Sequence, residues 1–487
     1  MSIVPAGAAA PESQPRSGED DVPEEMGAAA DGGNGTAGRP GAGVRLTSLA
    51  LIVMTVLCGI TLVLGFVNKD RCTGPRFDEY GRSQPDFDKR RYQDFCYSDI
   101  QTLWIGRDID RHVFPYVHGS LTAEGQPIGG VVEYPVLTGV FIWASAIFAH
   151  TDADFLLYSA LLLAPFGLAT AWLLGRMSGW RALLWAIGPP LVLYAFHNWE
   201  LPVVLCATAA FYVVHKGWGK RGADRPLLTR ATVAAVLLGL GFAFKVYPAI
   251  FVLPLMLYVL TGGRGGTEFG GRRGPDWKGA IRVALAALGT AVAVNVPFMV
   301  AGFEGWRASF TFQLLRKADI TTNSIWYWGL RPDSDPDNVP VQELIGVLSP
   351  LLMLISFVVA CGIGWVRFQR EGTYPWVPVS AAMLCGFLLL HKVHSPQYTL
   401  WLIPMFVLLK IRWGWIVAYL IADLAMGIGI FRWYYEIFFY DKHSDIFEGF
   451  AAQAVMIGVW GRAALLVGLF CAFLTAKETF RSDRLTV

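Results

Sequence analysis

The chain has 487 residues, 54% hydrophobic and 14% aromatic but only 16% charged, with a net charge of +2. Soluble chains carry about 25% charged residues, so the charges here are too few to coat a soluble globule, and the balance leaves no basic footprint for nucleic acid. Seven cysteines without a CxxC or Cys/His ligand pattern exclude a disulfide framework and a zinc module. A mean hydropathy of +0.44 leaves an all-α polytopic membrane protein.

Residues 1–45 are rich in Ala, Gly and Pro, with the acidic run Gly18-Glu19-Asp20-Asp21. They bury too little to offset ordering entropy, which predicts a disordered cytoplasmic tail. Leu46 to Val67 is long enough to span about 30 Å of hydrocarbon. It starts too late, and lacks the basic flank, for a signal peptide. A polar loop follows over 68–133, with nine Lys/Arg and eleven Asp/Glu. Further apolar segments lie near 154–175, 182–196, 200–215, 231–244, 246–261, 280–301, 341–366, 375–390, 399–409, 413–431 and 451–474. With the first run they predict about twelve membrane helices, a transmembrane domain over 46–474 and a short cytoplasmic tail over 475–487. The loops at 176–181, 216–230, 262–282, 367–371 and 410–412 and that tail then share one side. Together they hold 19 Lys/Arg against 6 Asp/Glu. The positive-inside rule places them and both termini in the cytoplasm of a plasma membrane.

Two segments resist simple counting. Tyr134–Phe148 is short for a span and reads as a juxtamembrane or re-entrant helix on the outer face. Ala231–Thr261 is too long for one span and short for two. Pro248 breaks it, predicting a tight hairpin with Lys245-Val246-Tyr247-Pro248 at its outer turn.

The chemistry-bearing residues fall on the outer side. Asp99 in the first loop reads either as a helix cap or as a general base taking the proton of an acceptor hydroxyl. Lys245 either snorkels to the interface or meets a phosphate as a point charge. The turn His391-Lys392-Val393-His394-Ser395-Pro396-Gln397-Tyr398 concentrates ionisable and polar groups between apolar helices, a density that packing does not explain. His197-Asn198-Trp199-Glu200 is a similar turn, readable as capping or as acceptor binding. Asn323, Trp326, Tyr327 and Trp328 suit either sugar stacking or an interfacial belt. Asp423 and Arg462 lie inside spans at similar depth, where a structural pair is the expectation. Cys72 and Cys96 share the outer loop, where a disulfide persists.

The order of these motifs over about 46–474 resembles the GT-C glycosyltransferases, more specifically glycosyltransferase family 87, actinobacterial polyprenyl-phosphate-mannose-dependent alpha-mannosyltransferases and their relatives. The shared features are Tyr97-Ser98-Asp99 in a long first outer loop, Glu133-Tyr134-Pro135 leading into a short helix, Lys245-Val246-Tyr247-Pro248, and Ser395-Pro396-Gln397-Tyr398. The family's usual Tyr-Pro-Pro is Tyr134-Pro135-Val136 here, and the first loop is longer, with two cysteines. The resemblance implies that Asp99 is the catalytic carboxylate and that a polyprenyl-phosphate sugar is the donor, with mannose ahead of arabinofuranose. Lys245, His391, Lys392 and His394 would meet the departing phosphate. Tyr134, His197, Asn198, Glu200, Tyr247, Gln397 and Tyr398 would line the substrate. The acceptor would be an envelope glycolipid or glycan at the outer face of the bilayer. No nucleotide donor is needed, and Gly262-Gly263-Arg264-Gly265-Gly266 reads as a basic linker with no strand before it. No second carboxylate accompanies Asp99, so no obligatory metal is expected. A lipid-linked-sugar flippase or transporter, and a non-catalytic envelope assembly protein, are the competing classes. Transporters often carry internal repeats, and no repeated motif is visible here.

Overall fold

The computed structural model describes residues 48–216, 226–263, 274–440 and 449–480. The expected disordered tail, the basic loop over 217–225, most of the glycine-rich linker and residues 481–487 lie outside them. The described residues are almost wholly helical. In chain order the helices are α1 (Ser48–Asp70), α2 (Phe87–Gln93), α3 (Asp99–Gly106), α4 (Val136–Ala146), α5 (Asp152–Ser178), α6 (Leu183–Ala186), α7 (Pro189–Tyr194), α8 (Leu201–Lys216) and α9 (Leu227–Phe244). They continue as α10 (Val252–Leu260), α11 (Trp277–Ala301), α12 (Phe303–Leu315), α13 (Ile325–Leu330), α14 (Val339–Glu371), α15 (Trp376–Leu390), α16 (Thr399–Leu408), α17 (Trp413–Tyr440) and α18 (Gly449–Thr475). Two antiparallel two-stranded ladders, Arg76–Phe77 with Ser83–Gln84 and Ser120–Leu121 with Pro127–Ile128, decorate the first loop.

Among the described residues, seven stretches are long and apolar enough to cross a membrane alone: α1, α5 with its continuation to Ala186, α9, α11, α14, α17 and α18. Four shorter apolar helices accompany them: α4, α8, α15 and the Tyr247–Leu260 segment that contains α10. Two of the segments expected among about twelve membrane helices differ in form from a long helix. Residues 182–196 form no continuous helix, because Gly188-Pro189-Pro190 removes amide donors and restarts the chain as the six-residue α7. Residues 399–409 yield only α16, about 15 Å long at 1.5 Å per residue, and wholly buried.

Both segments still carry the chain from one end of the bundle to the other. At one end Arg181 donates to the carbonyls of Phe406 (2.9 Å) and Leu409 (3.0 Å). There the Lys410 amide pairs with the Lys477 carbonyl, Ser178 meets Thr479, and Arg367 holds the carbonyls of Leu474 and Ala476. Among the described residues, the segments around Arg181, Arg367, Lys410 and Lys477 thus gather at one end. Pro248 breaks the 231–261 segment as expected: Lys245 ends α9, and a 3-10 turn over Tyr247–Phe251 leads into α10.

At the opposite end the first loop is a folded cap. A capping box on α5 pairs Thr151 Oγ1 with the Asp154 amide and Asp154 with the Thr151 amide, both at 3.1 Å, an arrangement that satisfies two orphan donors. The neighbouring Asp152 takes Arg82 (3.0 Å) and the Ser83 hydroxyl (2.6 Å), locking the first ladder onto α5. Cys72 and Cys96 are joined in a disulfide, with Cα atoms 6.0 Å apart.

Helices α17 and α18 approach closely at Gly458, where any side chain would collide with Met426. That approach buries Asp423 and Arg462 as an ion pair at 3.7 Å. Tyr194 donates to Asp423 (2.9 Å), and Arg462 also reaches the Asn323 carbonyl (3.1 Å) and the His394 ring. The intramembrane charges are structural, tying α7, α17 and α18 to the 391–398 turn. Removing one partner of a buried pair strands the other and costs about 3–5 kcal/mol. Arg462→Met should therefore lower the thermal midpoint in detergent strongly, and Asp423→Asn in the same background should restore part of the loss. Equal stability of wild type and Arg462→Met would contradict the pairing.

Candidate active site

The site forms where the first loop docks on the turn between α7 and α8. Ser98 donates its hydroxyl to the Phe196 carbonyl (2.7 Å), and the Asp99 amide donates to the His197 carbonyl (2.8 Å). These two bonds stitch the start of α3 to residues 196–200. Asp99 is the first residue of α3, and its carboxylate faces other side chains. Oδ1 accepts from the Tyr97 hydroxyl (2.8 Å) and Oδ2 from Asn198 Nδ2 (2.7 Å). The cap reading therefore fails, since the α3 amide groups are not its partners.

Asn198 is the hub. Its Nδ2 also donates to the Tyr134 hydroxyl (2.8 Å), while its Oδ1 accepts from Lys245 Nζ (3.1 Å) and from the Trp199 amide (2.6 Å). Acceptors on one side and donors on the other fix which way the amide points. Lys245 is buried, forms an ion pair with Glu200 at 3.0 Å and lies 4.3 Å from the centre of the Tyr134 ring. Such a cation–π contact is worth about 2 kcal/mol or more when desolvated. Glu200 is fully buried, and its second oxygen accepts from Trp401 Nε1 (2.6 Å). Trp401 is sandwiched between Tyr247 (4.2 Å) and Tyr398 (3.9 Å). One chain of contacts thus runs from Asp99 through Asn198, Lys245, Glu200 and Trp401 to two stacked tyrosines.

Of the residues singled out by sequence, Asp99, Tyr134, Asn198, Glu200, Lys245, Tyr247 and Tyr398 meet in this array. His197 lies beside it against the Tyr97 ring (5.3 Å). Burial, with Lys69 and Lys245 nearby, pushes the His197 pKa well below its ordinary value, so the ring is neutral. Burial, reinforced by Asp99, pushes the Tyr97 and Tyr134 phenols well up, so both stay protonated, Tyr97 donating to Asp99 and Tyr134 accepting from Asn198.

The 391–398 turn adjoins the array but divides. His394 is held by Arg462 and the Leu388 carbonyl and touches Tyr398 edge-on at 5.6 Å. His391 stacks on Phe387 (4.9 Å), and burial pulls its pKa down to about 4. Burial and the Arg462 charge drive the His394 pKa well below its usual value. Neither ring is a cation at pH 7. Lys392 reaches the Leu314 carbonyl at 3.2 Å. Gln397 is buried, with its Oε1 unpartnered among the described residues.

Three contributors escape sequence reasoning. Trp401 sits in an apolar helix, and only its i,i+3 spacing from Tyr398 hints at a shared face. Arg316, just past α12, acts electrostatically on His391, Lys392 and Tyr398. Lys69 ends α1 like an ordinary interfacial lysine. Among the described residues no three of His, Cys, Asp and Glu converge as a metal cage.

A family model described as "Mannosyltransferase (PIG-M)" matches residues 220–448. The matched segment holds Lys245, Tyr247 and the 391–398 turn, and leaves out Asp99 and the 197–200 turn. GPI mannosyltransferase 1 of Saccharomyces cerevisiae is 24% identical over 204 residues, 41% of this chain. The match spans 48% of that relative's length. Two solved structures are similar at low scores. ArnT from Cupriavidus metallidurans bound to undecaprenyl phosphate has a TM-score of 0.40 and 14% identity, covering 88% of this chain and 77% of that one. The apo oligosaccharyltransferase of Archaeoglobus fulgidus has a TM-score of 0.37 and 11% identity, covering 89% and 57%.

The array makes a stability forecast. If Lys245 is committed to Glu200 and Asn198, Lys245→Met leaves a buried carboxylate unpaired, at a cost of roughly 3–5 kcal/mol. Glu200→Gln in the Lys245→Met background should recover part of that loss in thermal unfolding. A Lys245→Met protein as stable as wild type would mean the ammonium is free.

Proposed function

We propose that the chain is an inverting GT-C-type glycosyltransferase that moves a hexose, mannose first, from a polyprenyl-phosphate donor to an envelope glycolipid or glycan. The observation that carries this reading is the Asp99 carboxylate, held between Tyr97 and an Asn198 that Lys245 fixes. A mannosyl donor is supported by the mannosyltransferase family model over 220–448 and by the yeast relative. The excess of basic residues in the loops gathered at the Arg181 end supports a cytoplasmic location for that end, with Asp99 facing outward.

In the reaction, the acceptor oxygen attacks the anomeric carbon of the donor as the bond from that carbon to the phosphate oxygen breaks. The acceptor's proton passes to Asp99, and the electron pair leaves with the polyprenyl phosphate. Asn198 and Tyr97 hold the carboxylate in place for that transfer. The departing phosphate meets Lys392 and Arg316, which have no carboxylate partner among the described residues, while neutral His391 serves as a hydrogen-bonding group. Lys245 acts through Asn198, and His394 through Arg462 and the fold of the turn. Tyr398, Trp401 and Tyr247 supply a flat aromatic surface beside the array. His197, Gln397 and Glu200 complete its polar lining.

The test is transfer of radiolabelled mannose from polyprenyl-phosphate mannose in membranes. Asp99→Asn keeps size and one acceptor oxygen but removes the base, so transfer should fall about 10²–10⁴-fold with the protein still inserted. Asp94→Asn should be near neutral, because Asp94 is exposed. Asp108→Asn should be too, since that side chain serves only its loop, accepting from the Gly129 amide and pairing with Arg111. Wild-type turnover by Asp99→Asn would reject the assignment. Donor translocation without product would favour a flippase.

A further inference from the structure

A cavity of about 630 Å³ opens at the end of the bundle that holds Arg181 and Lys410, the opposite end from Asp99. That volume falls in the range of small-ligand pockets, about 300–1,000 Å³, and nothing in the reaction at Asp99 uses it. Its floor is aromatic. Tyr258, Tyr374 and Trp376 are buried there, with the Trp376 ring 6.2 Å from that of Tyr258. On another wall Phe480 stacks on the His215 ring at 4.0 Å.

The rim is cationic. Arg230 on α9, Arg367 on α14 and Lys477 after α18 reach it from three separate segments of the chain. Arg230 donates to the Val214 carbonyl. Arg367 is pinned: its Nε pairs with Glu371 at 2.8 Å, and its Nη1 donates to the carbonyls of Leu474 and Ala476, both at 2.9 Å. Lys477 differs from both. Its carbonyl accepts the Lys410 amide, which fixes its backbone. The residue is exposed, and its ammonium has no partner among the described residues. The acids on these walls are Glu371, paired with Arg367, and Glu478, so three cations face two carboxylates. Helix α15 starts on the same wall, and its N-cap Pro375 supplies no side-chain acceptor, which leaves the positive end of the helix open to an anion.

The setting favours a lipid over a soluble anion. Helices α9 and α14 are each long and apolar enough to cross a membrane, and the cavity lies where α9 begins and α14 ends, the level of lipid headgroups. Just before Arg367, α14 exposes Trp365 and Val366, so apolar surface runs from the rim along the span. Basic pockets between membrane helices hold anionic headgroups in this way.

We propose that this cavity binds the headgroup of an anionic phospholipid from the surrounding leaflet, its phosphate at Arg230, Arg367 and Lys477 and its acyl chains along Trp365 and Val366. The site is separate from Asp99, and its occupancy can be read without sugar transfer.

Native mass spectrometry of the full chain with dioleoyl phosphatidylglycerol or dioleoyl phosphatidylcholine reads lipid adducts directly, and thermal unfolding in detergent with the same lipids gives a second readout. Phosphatidylglycerol should bind saturably and raise the thermal midpoint, with phosphatidylcholine at least fivefold weaker. A basic residue beside an anionic headgroup is worth about fivefold in affinity. Lys477→Ala should therefore weaken phosphatidylglycerol binding about fivefold, and Lys477→Glu more. Lys410→Ala removes a charge from the same end but outside the cavity, and should leave the affinity unchanged. Equal affinity of wild type and Lys477→Glu overturns the inference, as does an equal loss in Lys410→Ala, because the charge would then act through the surface at large. Should Lys477→Glu fail to fold, Lys477→Ala decides by the same comparison. Equal binding of the two lipids also overturns it. Glycerol phosphate offers the phosphate without the chains. A Lys477-dependent thermal shift from it as large as that from phosphatidylglycerol at the same concentration overturns the lipid assignment.

Discussion

The buried ammonium of Lys245 is the contact on which the outer site depends. Lysine seldom enters a protein interior without a partner, and this one meets Glu200, the Asn198 amide oxygen and the Tyr134 ring together. Each of those contacts has a consequence. Pairing with Glu200 lets that carboxylate remain buried and receive Trp401, which sets the aromatic stack. Holding the Asn198 oxygen fixes the amide, so its nitrogen must point at Asp99 and Tyr134. The helix break at Pro248 falls in the same turn, and Lys245 sits at the C-cap of α9 where the chain leaves the helix.

The bundle has two chemically different ends. One end is basic and closed by backbone bonds among residues 178–181, 406–410 and 474–479. The other carries the folded first loop, braced by Asp152 and by the Cys72–Cys96 disulfide. The Asp423–Arg462 pair braces this second end, because Arg462 reaches the His394 ring while Asp423 takes Tyr194 from the short helix before the 197–200 turn. The candidate site groups sit on short turns and helix ends between packed helices, which restrict their motion more than free loops would.

Much of this was legible in the chain, for identifiable reasons. Apolar runs give the long helices directly, and Pro248 marks its break because proline cannot continue the amide ladder. Asp423 and Arg462 announce a pair because isolated charges at that depth are too costly. The motifs point to Asp99, Asn198, Glu200 and Lys245 through their residue types, but their mutual contacts join positions up to 99 residues apart, which no local pattern encodes. Lys245 reads in the sequence as a snorkelling or phosphate-meeting cation and His394 as a phosphate cation, and their contacts in the fold are with Glu200 and Arg462, which no local pattern announces. Residues 182–196 and 399–409 passed as spans because hydropathy registers composition and misses a Gly-Pro-Pro break or a ten-residue length. Lys69, Trp401 and Arg316 were invisible, since a lysine at a helix end, a tryptophan in an apolar helix and an arginine in a polar loop are each ordinary there.

The central claim is a single displacement in which Asp99 takes a proton and never bonds to the sugar. The anomeric configuration of the product tests it most directly, read by NMR from the one-bond carbon–hydrogen coupling after transfer from a donor of defined configuration to a soluble acceptor analogue. The account predicts complete inversion at the anomeric carbon. Retention of configuration would require a covalent or doubly displaced intermediate, and would contradict it.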